Sequence, residues 1–311
     1  MKKITLPDEL IFIKNRNAVQ KKSNASMKGK HCVLTGATSG VGLSALKHIA
    51  RGGASIMIVC RNPEKAETVR DEIMGLYNTP IDITIANLSS LDEVRKAADS
   101  IKAKCPRIDI LINCAGLYTT RATYTKEGLE TVFCVNHLAS FLLTNLLLPR
   151  LKESSPSRII QINSEGHRFN GLDLDDINWK KRRYKGLKGY GASKTAQLMT
   201  VWEMADLLEG TGVTINAMHP GDVKTNIGQN NGWLYRFYSK HVTRRFLKDP
   251  VISGEAIYYL AADPEMQNVS GKFFHLTVEE KPAKHALDRK MGKMIYDLSL
   301  QMTGLANMPQ P

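Results

Sequence analysis

The feature that most restricts the fold is a glycine-rich turn near the start of the chain. Residues 35–42 read TGATSGVG, after an apolar run at 31–35 and before a helical pattern at 41–51. Glycine permits a sharp strand-to-helix turn and lets a diphosphate approach the backbone without a Cβ in the way. The helix N-terminus then offers free N–H groups to phosphates. The turn therefore predicts a dinucleotide site that includes Gly36, Thr38, Ser39, Gly40, Val41 and Gly42.

The rest of the chain alternates between strand-like and helix-like segments, which is typical of a parallel sheet covered by helices. Apolar or β-branched runs predict strands at 31–35, 55–60, 82–86, 109–112, 158–162, 213–218 and, more weakly, 273–276. Helical patterns lie at 41–51, 64–76, 91–104, 128–152, 190–209 and 252–262. We predict one α/β domain, a Rossmann-type doubly wound parallel sheet of about seven strands flanked by helices. The glycine-rich turn lies between the first strand and the first helix of this domain, which favours a dinucleotide site over the alternative, a tight turn without a ligand.

Composition narrows the class of protein. The 311 residues carry a formal net charge of +13, which fits a basic solvated surface, an anionic cofactor, an anionic membrane face or nucleic acid. The basic runs are dispersed and no recognition motif accompanies them, so we expect no nucleic-acid partner. The longest apolar stretch, 141–148, is too short to span a membrane, and the N-terminus lacks the apolar core of a secretory signal. Five scattered cysteines without C-x-x-C indicate reduced thiols in a cytoplasmic protein and no metal site.

A tyrosine and a lysine four residues apart form the candidate catalytic pair. Tyr190 and Lys194 lie at the start of a helical pattern, where a spacing of four places both on one face. A tyrosine pKa near ~10 is too high for efficient acid–base catalysis at neutral pH, and a nearby ammonium would lower it. Such pairs are common on helices, so the prediction depends on supporting residues elsewhere.

That support comes from the carboxyl ends of predicted strands. Ser164 follows the strand at 158–162, N-C-A-G at 113–116 follows the strand before it, and Asn136 lies in the intervening helix. Open α/β sheets place their ligand sites at this edge. The four elements predict one site that contains Asn136, Ser164, Tyr190 and Lys194.

The end of the second predicted strand bears on cofactor choice. Chains that bind NAD tend to carry an acidic residue there, which accepts hydrogen bonds from the ribose 2′-hydroxyl. This chain has Cys60 followed by Arg61, and a guanidinium can pair with a 2′-phosphate. We predict NADP(H), with an ordinary surface role for Arg61 as the alternative.

Together these motifs resemble the short-chain dehydrogenase/reductase family over about residues 29–275. The matches are T-G-x-x-x-G-x-G at 35–42, N-x-A-G at 113–116, Y-x-x-x-K at 190–194 and P-G-x-x-x-T at 220–225. Cys114 replaces a usual asparagine, which removes no catalytic group. The resemblance implies that the four catalytic candidates form the family's tetrad. It also implies cofactor contacts, beyond the glycine turn and Arg61, by Asn87, Leu88, Asn113, Ala115, Gly116, Tyr190, Lys194, Pro220, Gly221, Val223 and Thr225.

Within the family the chain is most similar to the retinol-dehydrogenase-like branch, on C-R-N at 60–62, FLLTNLLLP at 141–149 and H-P-G at 219–221. The branch implies lipophilic alcohols and carbonyls such as retinoids, steroids or fatty aldehydes. Relatives are often oligomers built on the helices at 128–152 and 190–209, so a homodimer is an expectation.

The expected chemistry is a reversible hydride transfer. Ser164 would hydrogen-bond the substrate oxygen, Tyr190 would exchange a proton with it, and Lys194 with Asn136 would connect the tyrosine to solvent through water. The alternative is a catalytically silent NADP(H)-binding sensor or scaffold, against which the intact tetrad argues. A Ser164–His167 hydrolase lacks the G-x-S-x-G elbow.

Three parts are expected along the chain. Residues 1–26 form an extension, 27–276 the dinucleotide-binding catalytic domain, and 277–311 a basic tail with one helix at 289–302. A segment at about 226–250 mixes aromatic and basic residues, which suits a substrate lid or a peripheral contact with an anionic membrane. An ordinary pair of surface helices is the alternative.

Overall fold

The computed structural model describes residue 15 and residues 18–223 and 248–306. Within them eight strands form one sheet in the order β3-β2-β1-β4-β5-β6-β7-β8. The strands are β1 (His31–Thr35), β2 (Ser55–Cys60), β3 (Ile81–Ile85), β4 (Ile110–Asn113), β5 (Ser157–Ile162), β6 (Val213–His219), β7 (Phe273–His275) and β8 (Val278–Glu279). Neighbours are parallel except β7 and β8. The predicted doubly wound α/β fold is confirmed, and β8 brings the strand count to eight.

Helices cover both faces of the sheet. They are α1 (Gly40–Arg51), α2 (Pro63–Tyr77), α3 (Leu91–Lys104), α4 (Thr131–Phe133), α5 (Ala139–Glu153), α6 (Gly186–Leu207), α7 (Val251–Ala262) and α8 (Arg289–Met302), with a π-helical turn (Cys134–Leu138) joining α4 to α5. One apolar cluster contains buried residues of α1, α2 and α7, and the other contains those of α3, α5, α6 and α8. The sheet therefore lies between two helical layers.

The strands read as continuous apolar runs because both of their faces are buried. In β1, Val33 packs into the cluster on the α3 side and Leu34 into the cluster on the α1 side. Burial of successive residues on opposite faces follows from the period of two along a strand. Sheet pairing then brings the carboxyl ends of β1 and β4 side by side, where the strand order reverses. Ligands of open α/β sheets bind at such a reversal.

Two helices differ from their predicted bounds in ways that matter for the site. The helix expected to begin at residue 128 begins at Thr131, because the Glu130 side chain accepts hydrogen bonds from the amides of Val132 and Phe133. The helix expected to begin at Tyr190 begins at Gly186. Tyr190 therefore lies in the second turn of α6, which holds its backbone in regular helical geometry.

The continuous helical stretch Thr131–Glu153 is the one described segment long and apolar enough to cross a membrane. Of its most apolar 18-residue window, 78% is buried inside the protein. Its apolar side chains, including Phe141, Leu142 and Leu147, belong to the α3-side cluster. We interpret it as a core helix of the domain.

The chain on either side of the predicted catalytic domain packs against the end of the sheet. Gln20 accepts hydrogen bonds from the backbone and the hydroxyl of Thr277, and the Tyr258 hydroxyl donates to the carbonyl of Ala25. Strand β8 lies just past residue 276, where the sequence suggested the boundary with the tail, and it belongs to the same sheet. Most of the predicted lid, residues 226–247, lies outside the described residues.

Candidate functional site

Two of the glycines in the turn after β1 lie where no larger residue fits. Gly36 has a φ of +73°, and a Cβ there would lie 2.8 Å from the Cα of Ala115. A Cβ at Gly42 would lie 2.2 Å from the carbonyl oxygen of Gly36. The turn thus packs backbone against backbone at the reversal of strand order, next to the segment that follows β4.

Helix α1 begins with its first amides uncapped by any side chain among the described residues. Ser39 occupies the N-cap position without a side-chain hydrogen bond, and the first turn contains no acidic residue. By contrast, Asn62 caps α2 and Ser90 caps α3 through their side chains. Free N–H groups and the positive end of the helix dipole suit a bound phosphate. The residues present therefore fit the diphosphate of a dinucleotide.

The segment after β4 is tied to β1 by one hydroxyl. Thr35 Oγ1 accepts hydrogen bonds of 3.0 Å from the amides of both Cys114 and Ala115. Asn113 donates 2.9 Å from its side-chain nitrogen to Thr144 Oγ1, which anchors the end of β4 to α5. These bonds hold the predicted residues Asn113, Ala115 and Gly116 beside the glycine turn.

The other predicted cofactor residues lie along the same edge of the sheet. Arg61 is exposed and directly follows β2, while Asn87 and Leu88 are partly buried after β3. Asn87 is fixed by a 2.8 Å hydrogen bond from its amide to Glu93 of α3. After β6, the Pro220 carbonyl accepts from Ser253, Gly221 has a φ of +80°, and Val223 is buried. Thr225 lies outside the described residues.

The structure brings together the four predicted catalytic residues. Ser164 and Tyr190 lie on either side of Gly166, since a Cβ on that glycine would lie 3.2 Å from Ser164 Oγ and would also meet the Tyr190 ring. Gly166 donates to Ser164 Oγ at 3.0 Å, and a Cβ on Gly166 would lie 2.7 Å from the Tyr190 ring. Asn136 donates at 3.0 Å to Ser193, whose hydroxyl donates at 2.7 Å to the carbonyl of Tyr190. The serine and the tyrosine are thus fixed from both sides.

Asn136 itself lies in the π-helical turn, and its side chain is fully engaged. Its oxygen accepts 2.7 Å from the amide of Leu117, and its nitrogen donates 3.0 Å to the carbonyl of the same residue. The wider π-helical turn carries this side chain away from α5 and towards the segment after β4. Asn136 therefore links that segment to α6.

Lys194 is buried, with 3% of its surface exposed. Its ammonium donates 2.7 Å to the carbonyl of Ile162 and 3.3 Å to Oε1 of Gln197, and it lies 6.0 Å from the centre of the Tyr190 ring. Burial lowers the pKa of Lys194 to about 8, with a smaller opposing effect from Cys114. A lysine at this position can exchange its proton near neutral pH.

Burial raises the pKa of Tyr190 above its ordinary value, and the hydrogen bond with Ser164 opposes that rise. The sequence predicted a lowered pKa through Lys194. The structure differs because the ammonium is directed at the backbone of β5 and at Gln197, while the phenol loses solvent. The phenol of Tyr190 is therefore protonated at neutral pH.

The sequence did not single out Gln197, which connects three parts of the site. Its oxygen accepts from Lys194 and, at 3.0 Å, from Asn163 Nδ2. Its nitrogen donates 3.0 Å to the carbonyl of Asn136. The available signal was its position three residues after Lys194 on the same helix, where the two side chains are neighbours.

The histidines near the site have structural partners. His167 contacts the backbone carbonyl of Ser164 through Nδ1 at 2.8 Å and accepts from the amide of Ala283 through Nε2. His137 Nε2 lies 2.7 Å from Ser299 Oγ on α8. Burial lowers the pKa of each to about 3. Neither ring contacts the hydroxyl of Ser164, in keeping with the absence of a hydrolase motif.

Comparisons with known proteins agree with this geometry. The family model for short chain dehydrogenases matches residues 30–232. Human retinol dehydrogenase 13 is 36% identical over 288 residues, covering 91% of this chain and 87% of that protein. Human retinol dehydrogenase 14 is 34% identical, covering 90% of this chain and 88% of that protein.

Solved structures share the fold. An uncharacterized protein from Mycobacterium paratuberculosis superposes with a TM-score of 0.74 at 26% identity, covering 92% of this chain and 98% of that one. L-sorbose reductase from Gluconobacter frateurii, solved with NADPH and L-sorbose, has a TM-score of 0.65 at 18% identity, with 81% and 97% covered. At 18% identity, the similarity to L-sorbose reductase shows a shared fold and nothing more.

Proposed function

The chain belongs to the short-chain dehydrogenase family, and from this membership we propose that it is an NADP(H)-dependent oxidoreductase that interconverts a carbonyl and an alcohol. The observation that carries the proposal is the meeting of Tyr190, Ser164 and Lys194 at the edge of the sheet that holds the glycine turn. These are a proton donor, a hydrogen-bonding hydroxyl and a buried ammonium at the edge of the sheet where ligands bind.

The proposed steps assign one task to each side chain. Bound NADP(H) supplies or accepts the hydride. Ser164 hydrogen-bonds the substrate oxygen, where negative charge develops during reduction. Tyr190 gives that oxygen its proton, and general acid catalysis of this kind is typically worth about 10²–10⁴-fold in rate. Lys194 stabilises the phenolate that remains, since an ammonium near a phenolate favours the charged form.

Proton resupply to the tyrosine is proposed to involve Lys194, which other polar residues hold in place. Lys194, Gln197 and Asn136 form a continuous series of hydrogen bonds from β5 to the π-helical turn. With a pKa of about 8, Lys194 can lose and regain a proton near neutral pH. The water-mediated route expected from the sequence stays a prediction, and Gln197, whose carboxamide does not carry protons, would position Lys194 for that route.

The preference for NADP(H) is supported by the residues at the end of β2. Cys60 is buried there and Arg61 is exposed, so no carboxylate of these two positions would repel a 2′-phosphate. The guanidinium of Arg61 can pair with that phosphate. NAD(H) use is the competing outcome.

A lipophilic substrate of the retinoid, steroid or fatty aldehyde type is supported by the names of the relatives, retinol dehydrogenases 13 and 14. A cytoplasmic location, a homodimer and a peripheral contact with an anionic membrane stay predictions. On the face where the dimer was expected, α8 packs on α6, and Tyr296 contacts Phe141 of α5.

The proposal is tested by measuring NADPH binding and turnover separately. Binding is followed by cofactor fluorescence, and turnover by NADPH consumption with retinal, steroid ketones, fatty aldehydes and quinones, each repeated with NADH. We expect binding together with turnover of at least one apolar carbonyl. Tight binding without turnover across the panel would instead support the alternative, a catalytically silent NADP(H)-binding sensor or scaffold.

A further inference from the structure

A second group of polar side chains is buried behind the catalytic serine. Glu165, His219 and His275 each offer one ligand atom, and these atoms lie within 4.8 Å of one another. All three residues are more than nine-tenths buried. Among the described residues, no hydrogen-bond partner reaches Glu165 Oε1, His219 Nε2 or His275 Nδ1. Buried polar atoms without a partner are costly, so their grouping requires an explanation.

The sheet explains how these residues meet. His219 ends β6 and His275 ends β7, and the two are direct partners in the strand register. Glu165 is the third residue after β5, the neighbour of β6 on its other side. The carboxyl ends of three adjacent strands thus converge on one point. Glu165 and His219 are 54 positions apart and His219 and His275 are 56 positions apart. Such separations form no local spacing pattern, so the sequence did not predict this group.

A fourth group approaches from the loop after β6. Asp222 Oδ1 lies 3.8 Å from His219 Nε2, and 42% of the Asp222 side chain is exposed. Ligand atoms of a tetrahedral zinc ion with bonds near 2.0–2.1 Å are separated by about 3.3 Å. The aspartate therefore needs only a small movement to share an ion with the histidine, and it provides a path from solvent.

The charged groups around the three ligand atoms are of both signs. Burial and the neighbouring carboxylate of Glu280 raise the pKa of Glu165, so a cation that binds Glu165 must displace its proton. The other carboxylates nearby are those of Asp222 and Glu280, and the cationic side chains are those of Arg168 and Lys248. Glu280 is already paired, since it accepts from Arg168 and from Asn15. Arg168 also pairs with Glu165 Oε2, which leaves Oε1 directed into the group.

We propose that Glu165, His219, His275 and Asp222 bind one zinc ion. Two imidazoles and two carboxylates are ligands that zinc accepts in closed, four-coordinate sites. Zinc at His219 Nε2 would place the remaining ring proton on Nδ1, which now accepts a long 3.4 Å contact from the amide of Glu165. That contact would open on binding, and its length makes the cost small.

The ion would act on positioning rather than on the substrate. Glu165 directly follows Ser164, and His219 directly precedes the Pro220–Gly221 turn. Zinc would therefore fasten the segment that carries the serine to the loop predicted to border the nicotinamide. This role is independent of the proposed reaction, because the ligands hold the ends of β5, β6 and β7 whether or not NADP(H) is bound.

The test is calorimetric titration of the untagged, chelator-treated full chain with zinc chloride. We expect one saturable site per chain and a rise in melting temperature with zinc, since an ion bound to the folded state stabilises it. His275→Asn and Glu165→Gln should each weaken binding by more than about 10-fold. His31→Asn is the matched control, because His31 begins β1 and so lies at the edge of the sheet opposite to the proposed ligands. This variant should bind zinc as the wild type does.

Asp222→Asn gives a second variant whose folding is not in question, because the aspartate side chain is partly exposed on a loop. Its zinc affinity should also fall, and cobalt absorption should report a four-coordinate nitrogen and oxygen site in the wild type. Absence of one-to-one zinc binding by the folded wild type would overturn the proposal. Equal affinity in all three ligand variants would overturn it as well, since the ion would then lie elsewhere.

Discussion

The ammonium of Lys194 donates a 2.7 Å hydrogen bond to the carbonyl of Ile162, the last residue of β5. The lysine thereby ties α6 to the strand that leads into Ser164, and it does so with 3% of its surface exposed. Burial of the ammonium lowers its pKa from 10.5 to about 8. A group with this shift makes folding stability depend on pH.

The direction in which stability changes with pH follows from how many protons Lys194 binds in the folded and unfolded states. Between pH 8 and 10.5 the unfolded lysine is protonated and the folded one is not, so the free energy of unfolding rises as the pH rises through this window. The contribution of Lys194 has an upper limit of about 3 kcal/mol. We therefore expect denaturant unfolding without cofactor to show that the free energy of unfolding of the wild type rises, relative to that of Lys194→Met, as the pH is raised. A difference independent of pH would contradict the buried, shifted lysine.

Tyr190→Phe is expected to abolish turnover while leaving NADPH affinity nearly unchanged. The change removes the one hydroxyl placed to exchange a proton and keeps the ring that contacts Tyr118. Loss of a general acid costs about 100-fold or more in rate. Cofactor fluorescence and steady-state kinetics measure the two effects separately. Tyr77→Phe, at the end of α2, is the matched control, and wild-type activity in Tyr190→Phe would refute the mechanism.

Gln197→Met tests the polar link behind the tyrosine. Methionine keeps the length of the side chain but removes the acceptor for Lys194 and the donor to the carbonyl of Asn136. Because Lys194 loses a partner that positions it, we expect kcat to fall about 10-fold or more with KM little changed.

The pH profile separates positioning from a general loss of stability. Gln197→Glu restores an acceptor for Lys194 and adds a negative charge, which would raise the pKa of Lys194 and move the alkaline limb of the kcat profile upwards. Gln267→Met, at an exposed position, is the control. Equal kcat in all three variants would mean that Gln197 has no part in the reaction.

The sequence predicted the candidate site residues best where each one lies at the carboxyl end of a buried strand. Gly36 and Ser164 come one and two residues after such a strand and Asn113 is the last residue of β4. Parallel strands end at one edge of the sheet, so the meeting of these residues follows from the fold class. The tetrad members on α6, Tyr190 and Lys194, were found through their spacing of four.

Other features depend on contacts that no local pattern contains. Pairing of His219 with His275 follows from the register of β6 and β7. The role of Gln197 follows from groups on β5, the π-helical turn and α6 meeting in space. The π-helical turn at Asn136 preserves an apolar helical pattern, so the sequence predicted an ordinary helix there. Strand β8 has two residues, too few for a period of two to be read.

Arg61→Ala is expected to narrow the preference for NADPH over NADH. The guanidinium is exposed directly after β2, and loss of one charge-assisted hydrogen bond to a 2′-phosphate costs about 10-fold in affinity. Dissociation constants for both cofactors give the ratio. Arg51→Ala, at the last residue of α1, should leave it unchanged. If Arg61→Ala also leaves the ratio unchanged, another cation reads the 2′-phosphate.

Gly42→Ala is expected to abolish dinucleotide binding, and Gly75→Ala is its matched control. A Cβ at residue 42 would lie 2.2 Å from the carbonyl oxygen of Gly36, so the turn must open and the first amides of α1 must move. A Cβ at residue 75, inside α2, meets nothing within 4 Å. There alanine should raise stability by up to about 1 kcal/mol through helix propensity.

NADPH fluorescence and thermal unfolding of both variants measure these effects. Retained NADPH binding in Gly42→Ala would show that the cofactor does not depend on the close backbone packing of this turn.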